Sequence, residues 1–436
     1  MNTNSRFQVF TLSCTTAIVA IACTFASCTE SHAGSAASAK TTSAQSASVN
    51  APTPLAEYRA QLLDLAFEAS SAFPRNPHIK NRSRAQELVV TACLELDQPE
   101  RARQYIPRID NWRRGKAYAD LAYHQAQLGR MADVQQDLDI AQRIADGGGI
   151  EAHEPASDSV EAPQEWRRDR IRTSIARTYL LLGQDDKAAA VADGAVESEV
   201  GRMHSERARQ TEPTDFDAEL VTLDNLVGTG SFEHLNAALQ AYAQLFARFY
   251  DDAERRATVE NKIDIAWAKL PIQVRFDVLM ELTQHAFAHA DAPKTLELIG
   301  KAQVLLDGTQ WSVESHVPLA ARLAGLRFRA GDRERARTDA DAALSAYESG
   351  RASVVDIYRA GVLRPLAEAY VTMGDTAKAR RVYALAVEEG VVNPNSRPRA
   401  EDISATATSM AVHDFEPDAE LLARMQAVRA GLGDPW

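Results

Sequence analysis

His285 and His289, spaced i, i+4 in the stretch HAFAH, come nearest in this chain to the makings of a metal site. On a helix that spacing turns both imidazoles to one side, where they can share an ion. The zinc-protease motif places a Glu directly after the first His, and none follows His285. No third ligand stands nearby, so the pair reads as two histidines on a helix surface or interface, and no metal or other cofactor is expected. Nucleophile and phosphate motifs are missing: there is no G-x-S-x-G and no P-loop. The three glycines at 147–149 run into an acidic stretch with no Lys or Ser/Thr directly after them, so they read as an insertion between helices. Asp and Glu recur at helix-surface spacing, and no glycosidase pair stands out among them. A net charge of −12 argues against nucleic acid as a general partner. Catalysis is therefore not expected.

What does recur is a turn. LGQDDKA (182–188), AGDRERA (330–336) and MGDTAKA (373–379) are copies of one short word between helix-period segments. A Gly ends one helix, a polar residue caps the next, and an Ala follows on its inner face. Ala176, Ala324 and Ala367 stand seven residues before the three glycines; Ala195, Ala343 and Ala386 stand twelve after. Small residues at those offsets let two antiparallel helices approach closely. LGRMADV (128–134) is a weaker copy, with Ala122 and Ala141 at the small positions. LDQPERA (96–102) puts Asp97 at the turn, with Val90 and Ile109 around it; ADAPKT (290–295) uses Ala290, with Ala302 downstream; TGSFEHL is anchored at Gly230. Pro99 and Pro293 fall in the first turn of a second helix, and Asp291, Asp332 and Asp375 stand where N-caps belong. WRRGKAYADLA and WRRDRIRTSIA match in register, each with its Trp ten residues before the packing Ala. No stretch alternates over strand length, so essentially no sheet is expected.

Anchor spacings of 32 (129 − 97), 41 (331 − 290) and 43 (374 − 331) lie near the repeat lengths of helical solenoids, about 34 residues for tetratricopeptide units and about 40–47 for others. The copies 365–386 (Ala367, Tyr370, Gly374, Ala379, Tyr383, Ala386) and 176–195 (Ala176, Tyr179, Gly183, Ala188, Ala195) carry the resemblance. The chain resembles the tetratricopeptide-repeat family in a divergent, long-loop form, over about 80–405 with a gap in the middle. The resemblance implies an all-α, right-handed superhelix of helical hairpins. An irregular middle is expected at about 200–270, where 237–270 reads as two longer helices parted near Asp251 and Asp252. Residues 416–436 read as a capping helix closing the array of 54–415.

In the family frame the second residue of each first helix faces the concave groove. Arg84, Lys116 and Arg170 occupy that place in three consecutive units. Arg177 lies two turns further on the same side, and Arg322, Arg329 and Arg364 are the groove candidates of the later units. Basic side chains gathered in a concavity focus potential on an anion, so an anionic segment of a partner protein is the implied ligand. The competing reading pairs these cations with neighbouring Asp and Glu on a solvated surface. Family members that hold a terminal carboxylate place an Asn where this chain has Thr91, Tyr123 and Arg177.

The first 27 residues read as an export signal: Arg6, an apolar stretch, then Phe25-Ala26-Ser27-Cys28. Small residues before a Cys resemble the bacterial lipoprotein signal, which implies a lipid on Cys28; Cys23 is a second candidate, and a plainly cleaved or retained signal remains open. Residues 28–53, rich in Ser, Ala and Thr, read as a disordered tether. Of four cysteines only Cys93 remains in the fold, so no disulfide is expected within it. Together these features predict a protein-binding scaffold at the cell envelope, touching the membrane only through its N-terminal anchor. A structural envelope component and an enzyme on a helical solenoid are the alternatives.

Overall fold

The computed structural model describes residues 54–148, 165–268 and 270–436. The expected signal, the tether, Cys28 and most of the acidic insertion lie outside the described residues. Among the described residues the chain is all-α: nineteen α-helices, two 3-10 turns and no strand. They are α1 (Glu57–Ser71), α2 (Arg75–Glu95), α3 (Pro99–Tyr105), α4 (Arg113–Gln127), α5 (Val134–Ala145), α6 (Glu165–Leu181), α7 (Asp185–Ala192), α8 (Glu197–Gln210), α9 (Phe216–Thr229) and α10 (Phe232–Arg248). There follow α11 (Ala253–Trp267), α12 (Ile272–Ala288), α13 (Ala292–Asp307), α14 (Val313–Arg329), α15 (Arg333–Gly350), α16 (Asp356–Thr372), α17 (Thr376–Gly390), α18 (Ser396–Val412) and α19 (Ala419–Ala430).

The turn word is a left-handed cap. Asp97, Gly129, Gly183, Gly230, Ala290, Gly331 and Gly374 all have φ between +51° and +100°. At six of these anchors the next residue donates its N–H to the carbonyl five residues back, as in Gln184 to Tyr179 (2.8 Å) and Asp375 to Tyr370 (3.0 Å). That is the Schellman bond, which satisfies a carbonyl the helix leaves open. Asp414, at φ +59°, makes a further turn of this kind between α18 and α19 that no repeat of the word announces.

Packing follows the small residues. Ala122, Ala176, Ala324 and Ala367 before the turns are fully buried, as are Ala102, Ala188, Ala336 and Ala379 after them. Tyr370 and Tyr383 fill the space beside these alanines. Trp112 and Trp166, matched in register, meet edge to face with ring centres 5.2 Å apart. Two expectations change. Ala195 is not a helix-packing residue: α7 stops at Ala192, and Ala195 lines a cavity of about 370 Å³ beside α8. Asp332 stands at its N-cap without capping; its carboxylate faces Arg327 at 3.4 Å instead, whereas Asp291 and Asp375 accept from Lys294 N and Lys378 N.

Each even-numbered helix from α2 to α18 packs on the next even-numbered one, and the odd-numbered helices lie against their own partners. In the middle the pairing lapses. Instead of forming a hairpin with α9, α8 runs along α10, and α9 also packs on α10. A Cβ on Gly201 would come within 2.8 Å of the Ala237 Cβ, so glycine is what admits the close approach of α8 and α10. At Asp252 the two helices of the middle part as expected, with its carboxylate accepting from Arg255 N.

The succession also returns on itself: α18 packs on α1 and α2. Tyr58 donates to Asp414 (2.5 Å), Arg59 to the Ala411 carbonyl (2.7 Å), and Asn81 to Glu401 (2.8 Å). Glu68 pairs with Arg429 at 3.0 Å.

Candidate functional site

Lys116, Arg170 and their neighbours on α4, α6 and α8 form a group of interacting charges. Glu87, from α2, lies between Lys116 (3.0 Å) and Arg113. Burial alone would push the Glu87 carboxyl up; Lys116 and Arg113 outweigh it and hold the group at about 2. Lys116 also reaches Asp120 at 2.5 Å. Burial works against its ammonium, but Asp120 and Glu87 more than offset that and raise it above its usual range. Arg170 grips the buried Glu199 with two bonds of 2.8 Å, a bidentate fork.

The remaining groove candidates divide in two. Arg84 faces Glu401 (3.4 Å), Arg322 faces Asp277 (3.0 Å) and Arg364 faces Asp402 (3.1 Å). Arg177 and Arg329 face no carboxylate within 4 Å among the described residues. Each stacks on an aromatic ring instead, Arg177 over Tyr123 at 4.4 Å and Arg329 over Phe287 at 4.1 Å. Such stacking contributes about 0.5–2 kcal/mol and leaves the guanidinium edge free to donate.

Sequence reasoning missed Arg202. It lies on α8 with no hydrogen bond or ion pair among the described residues, close to Arg170, Arg177, Asp120 and Glu199. Burial, then Arg170 and Arg177, lower its guanidinium below the usual range despite the acids. The signal was present in the spacing. Arg202 and Arg209 are seven residues apart (209 − 202), as are Arg170 and Arg177 (177 − 170) and Arg322 and Arg329 (329 − 322). Seven residues are close to two turns, which return a side chain to the same face. The α8 segment was passed over because no turn word frames it.

Arg209 completes the group by donating to Gln244 (2.8 Å) and Tyr123 (3.0 Å) and approaching Glu206 (3.3 Å). Across α2, α4, α6 and α8, Arg113, Lys116, Arg170, Arg177, Arg202 and Arg209 stand against Glu87, Asp120, Glu199 and Glu206. Arg177 and Arg202 make no ion pair among the described residues; Arg202 feels Arg170 and Arg177 on one side and Asp120 and Glu199 on the other.

His285 and His289 engage different surroundings. His285 reaches toward Glu281 at 3.8 Å, while His289 stacks on Tyr250 (4.2 Å between centres) and faces Asp251 at 3.7 Å. No group of three or more metal-ligating side chains occurs among the described residues. Cys93 is buried, and burial pushes its thiol up to about 12, far from a reactive thiolate. Comparison with known family models, curated proteins and solved structures returned no match.

Proposed function

We propose that this chain is a non-catalytic protein-binding scaffold, a tetratricopeptide-like helical array that captures an anionic segment of a partner protein. Its proposed place is the bacterial cell envelope, with an N-terminal signal exporting it and a lipid on Cys28 holding it there. The observation that carries the binding reading is the pair Arg177 and Arg202, two guanidiniums that make no ion pair among the described residues, in a chain of net charge −12. A cation flanked by like charges is costly to keep unless something anionic visits it. Lys116 and Arg170 frame that place, with their own carboxylates fixing their positions. Arg84, Arg322 and Arg364 are given a structural role in this reading, because each already has a carboxylate. Arg329 offers a second, single contact further along the array.

The reading is tested by cross-linked recovery of partners from envelope extract, comparing the natural chain with an Arg177→Met/Arg202→Met double variant of equal helicity. Partner recovery is expected to fall by tenfold or more in the variant, and to fall with added salt in the natural chain. Equal recovery from both would overturn it.

A further inference from the structure

We propose that the cavity bounded by α8, α9 and α10 is a binding site for a small uncharged apolar molecule carrying one hydroxyl, with that hydroxyl bonded to His204 and the apolar body filling the space beside it. None of the arginines of the anion-binding reading lines this cavity, so the two sites stand or fall separately.

The space follows from how the chain runs. The helix α7 ends at Ala192, so Ala195, which keeps the register of a packing alanine, falls beyond the helix and lines the cavity. At Gly201 the helices α8 and α10 are drawn together, and a Cβ there would stand 2.8 Å from that of Ala237. About 370 Å³ is left unfilled beside this contact, walled by Ala195, Val200, Leu226 and Ala237. An empty apolar space costs stability, because the atoms around it lose contacts that a ligand would restore. An apolar cavity of about 150 Å³ already accepts benzene, so this one has room for two fused rings.

Two imidazoles, His204 and His234, supply the polar side. On α10, His234 is oriented by Thr229. The Thr229 hydroxyl gives its one proton to the Leu226 carbonyl (2.7 Å), so His234 Nδ1, 2.7 Å from Thr229 Oγ, is the donor of that pair. On α8, His204 makes no hydrogen bond or ion pair among the described residues, and its Nδ1 is buried. Nε2 is then the nitrogen that a ligand can meet. Burial first, then Arg207 and His234, hold the His204 ring below its ordinary value, so it is neutral at pH 7. A neutral imidazole offers a donor or an acceptor according to its tautomer. A hydroxyl matches either, because it both donates and accepts. A carboxylate only accepts, an ammonium only donates, and either would lose its water against the aliphatic wall. Arg207 opposes a cation here as it opposes protonation of His204. Two imidazoles also fall short of the three or four protein ligands that zinc takes.

The probes are 2-naphthol and naphthalene, which share a two-ring body and differ by the hydroxyl, with 2-naphthoate as the charged counterpart. Equilibrium dialysis against the purified chain at pH 7 should show 2-naphthol bound about tenfold more tightly than naphthalene, the factor that one net hydrogen bond contributes. It should also be bound more tightly than 2-naphthoate. His204→Phe keeps a ring and removes its nitrogens, so 2-naphthol should fall to the naphthalene level. Ala195→Leu fills the cavity from outside any helix and should weaken both by tenfold or more; it decides the matter if His204→Phe does not fold. Absent 2-naphthol binding, equal binding of 2-naphthol and naphthalene, or unchanged binding in Ala195→Leu would overturn the proposal. So would a preference for the hydroxyl that survives in folded His204→Phe, or tighter binding of 2-naphthoate, which would mark an anion site instead.

Discussion

The hairpins α14–α17 and the inner helices α4, α6 and α8 use the same helical grammar and treat their charges differently. In α14–α17 the cations that reach inward acids are paired, Arg327 with Asp339 (3.1 Å) and Arg364 with Asp402 (3.1 Å), while Arg329 stacks on Phe287 without a carboxylate. In the α4–α6–α8 group two guanidiniums are left over. Packing is equally complete in both, with Ala122, Ala176, Ala324 and Ala367 all fully buried. The turn word thus specifies how the helices stack, and the charges on their inner faces are set independently of it.

The largest effect should come from overfilling the regular end. Ala367→Trp inserts a ring where no space exists, and urea unfolding should show a loss of about 1–3 kcal/mol or more. An unchanged midpoint would mean that Ala367 is not a packing position.

The charge contrast itself is sharpened by paired substitutions. Arg364→Met leaves the largely buried Asp402 without its partner and should cost roughly 1–3 kcal/mol at pH 7, below the cost of a fully buried pair because both groups keep some solvent. Arg202→Met removes a cation flanked by Arg170 and Arg177, and should be neutral or stabilising by thermal denaturation. Equal destabilisation by the two would erase the difference between the regions.

Smaller effects should come from the turns. Gly374 at φ +70° has open space around it, so Gly374→Ala strains only the backbone, at about 1 kcal/mol. Ala290 already bears that strain at φ +56°, and Ala290→Gly should raise the melting temperature slightly. If the two substitutions move stability in the same direction, the shared turn geometry is not what limits them.

Most of the fold was legible because a Gly or its substitute must sit wherever the chain turns left-handed, and small residues must sit where helices touch. That is why seven turns, including the unusual Asp97 and Ala290, could be placed from spacing alone. Asp414 escaped because the helix after it starts late: α19 opens at Ala419, five residues on, whereas α15 and α17 open two residues after Gly331 and Gly374, so the Ala at the expected offset begins the helix and does not pack inside it. The short α7 escaped because Ala195 keeps the register after the helix has ended. The site was half legible. Lys116, Arg170 and Arg177 were found from register, but which cations keep a carboxylate depends on acids 29–45 residues away in sequence, such as Glu199 for Arg170 and Asp277 for Arg322. Arg202 stayed hidden because α8 pairs with α10 rather than with its sequence neighbour, so no hairpin frame reached it.

The central claim is that Arg177 and Arg202 receive an anion. Its most direct measurement is fluorescence anisotropy of a labelled hexaglutamate peptide titrated with the purified chain at low and at physiological salt. Binding should be measurable at low salt, weaken as exposed charges are screened over about 8 Å, and drop at least tenfold in Arg177→Met/Arg202→Met while Arg84→Met binds like the natural chain. Equal affinity in the double variant and the natural chain would contradict the account.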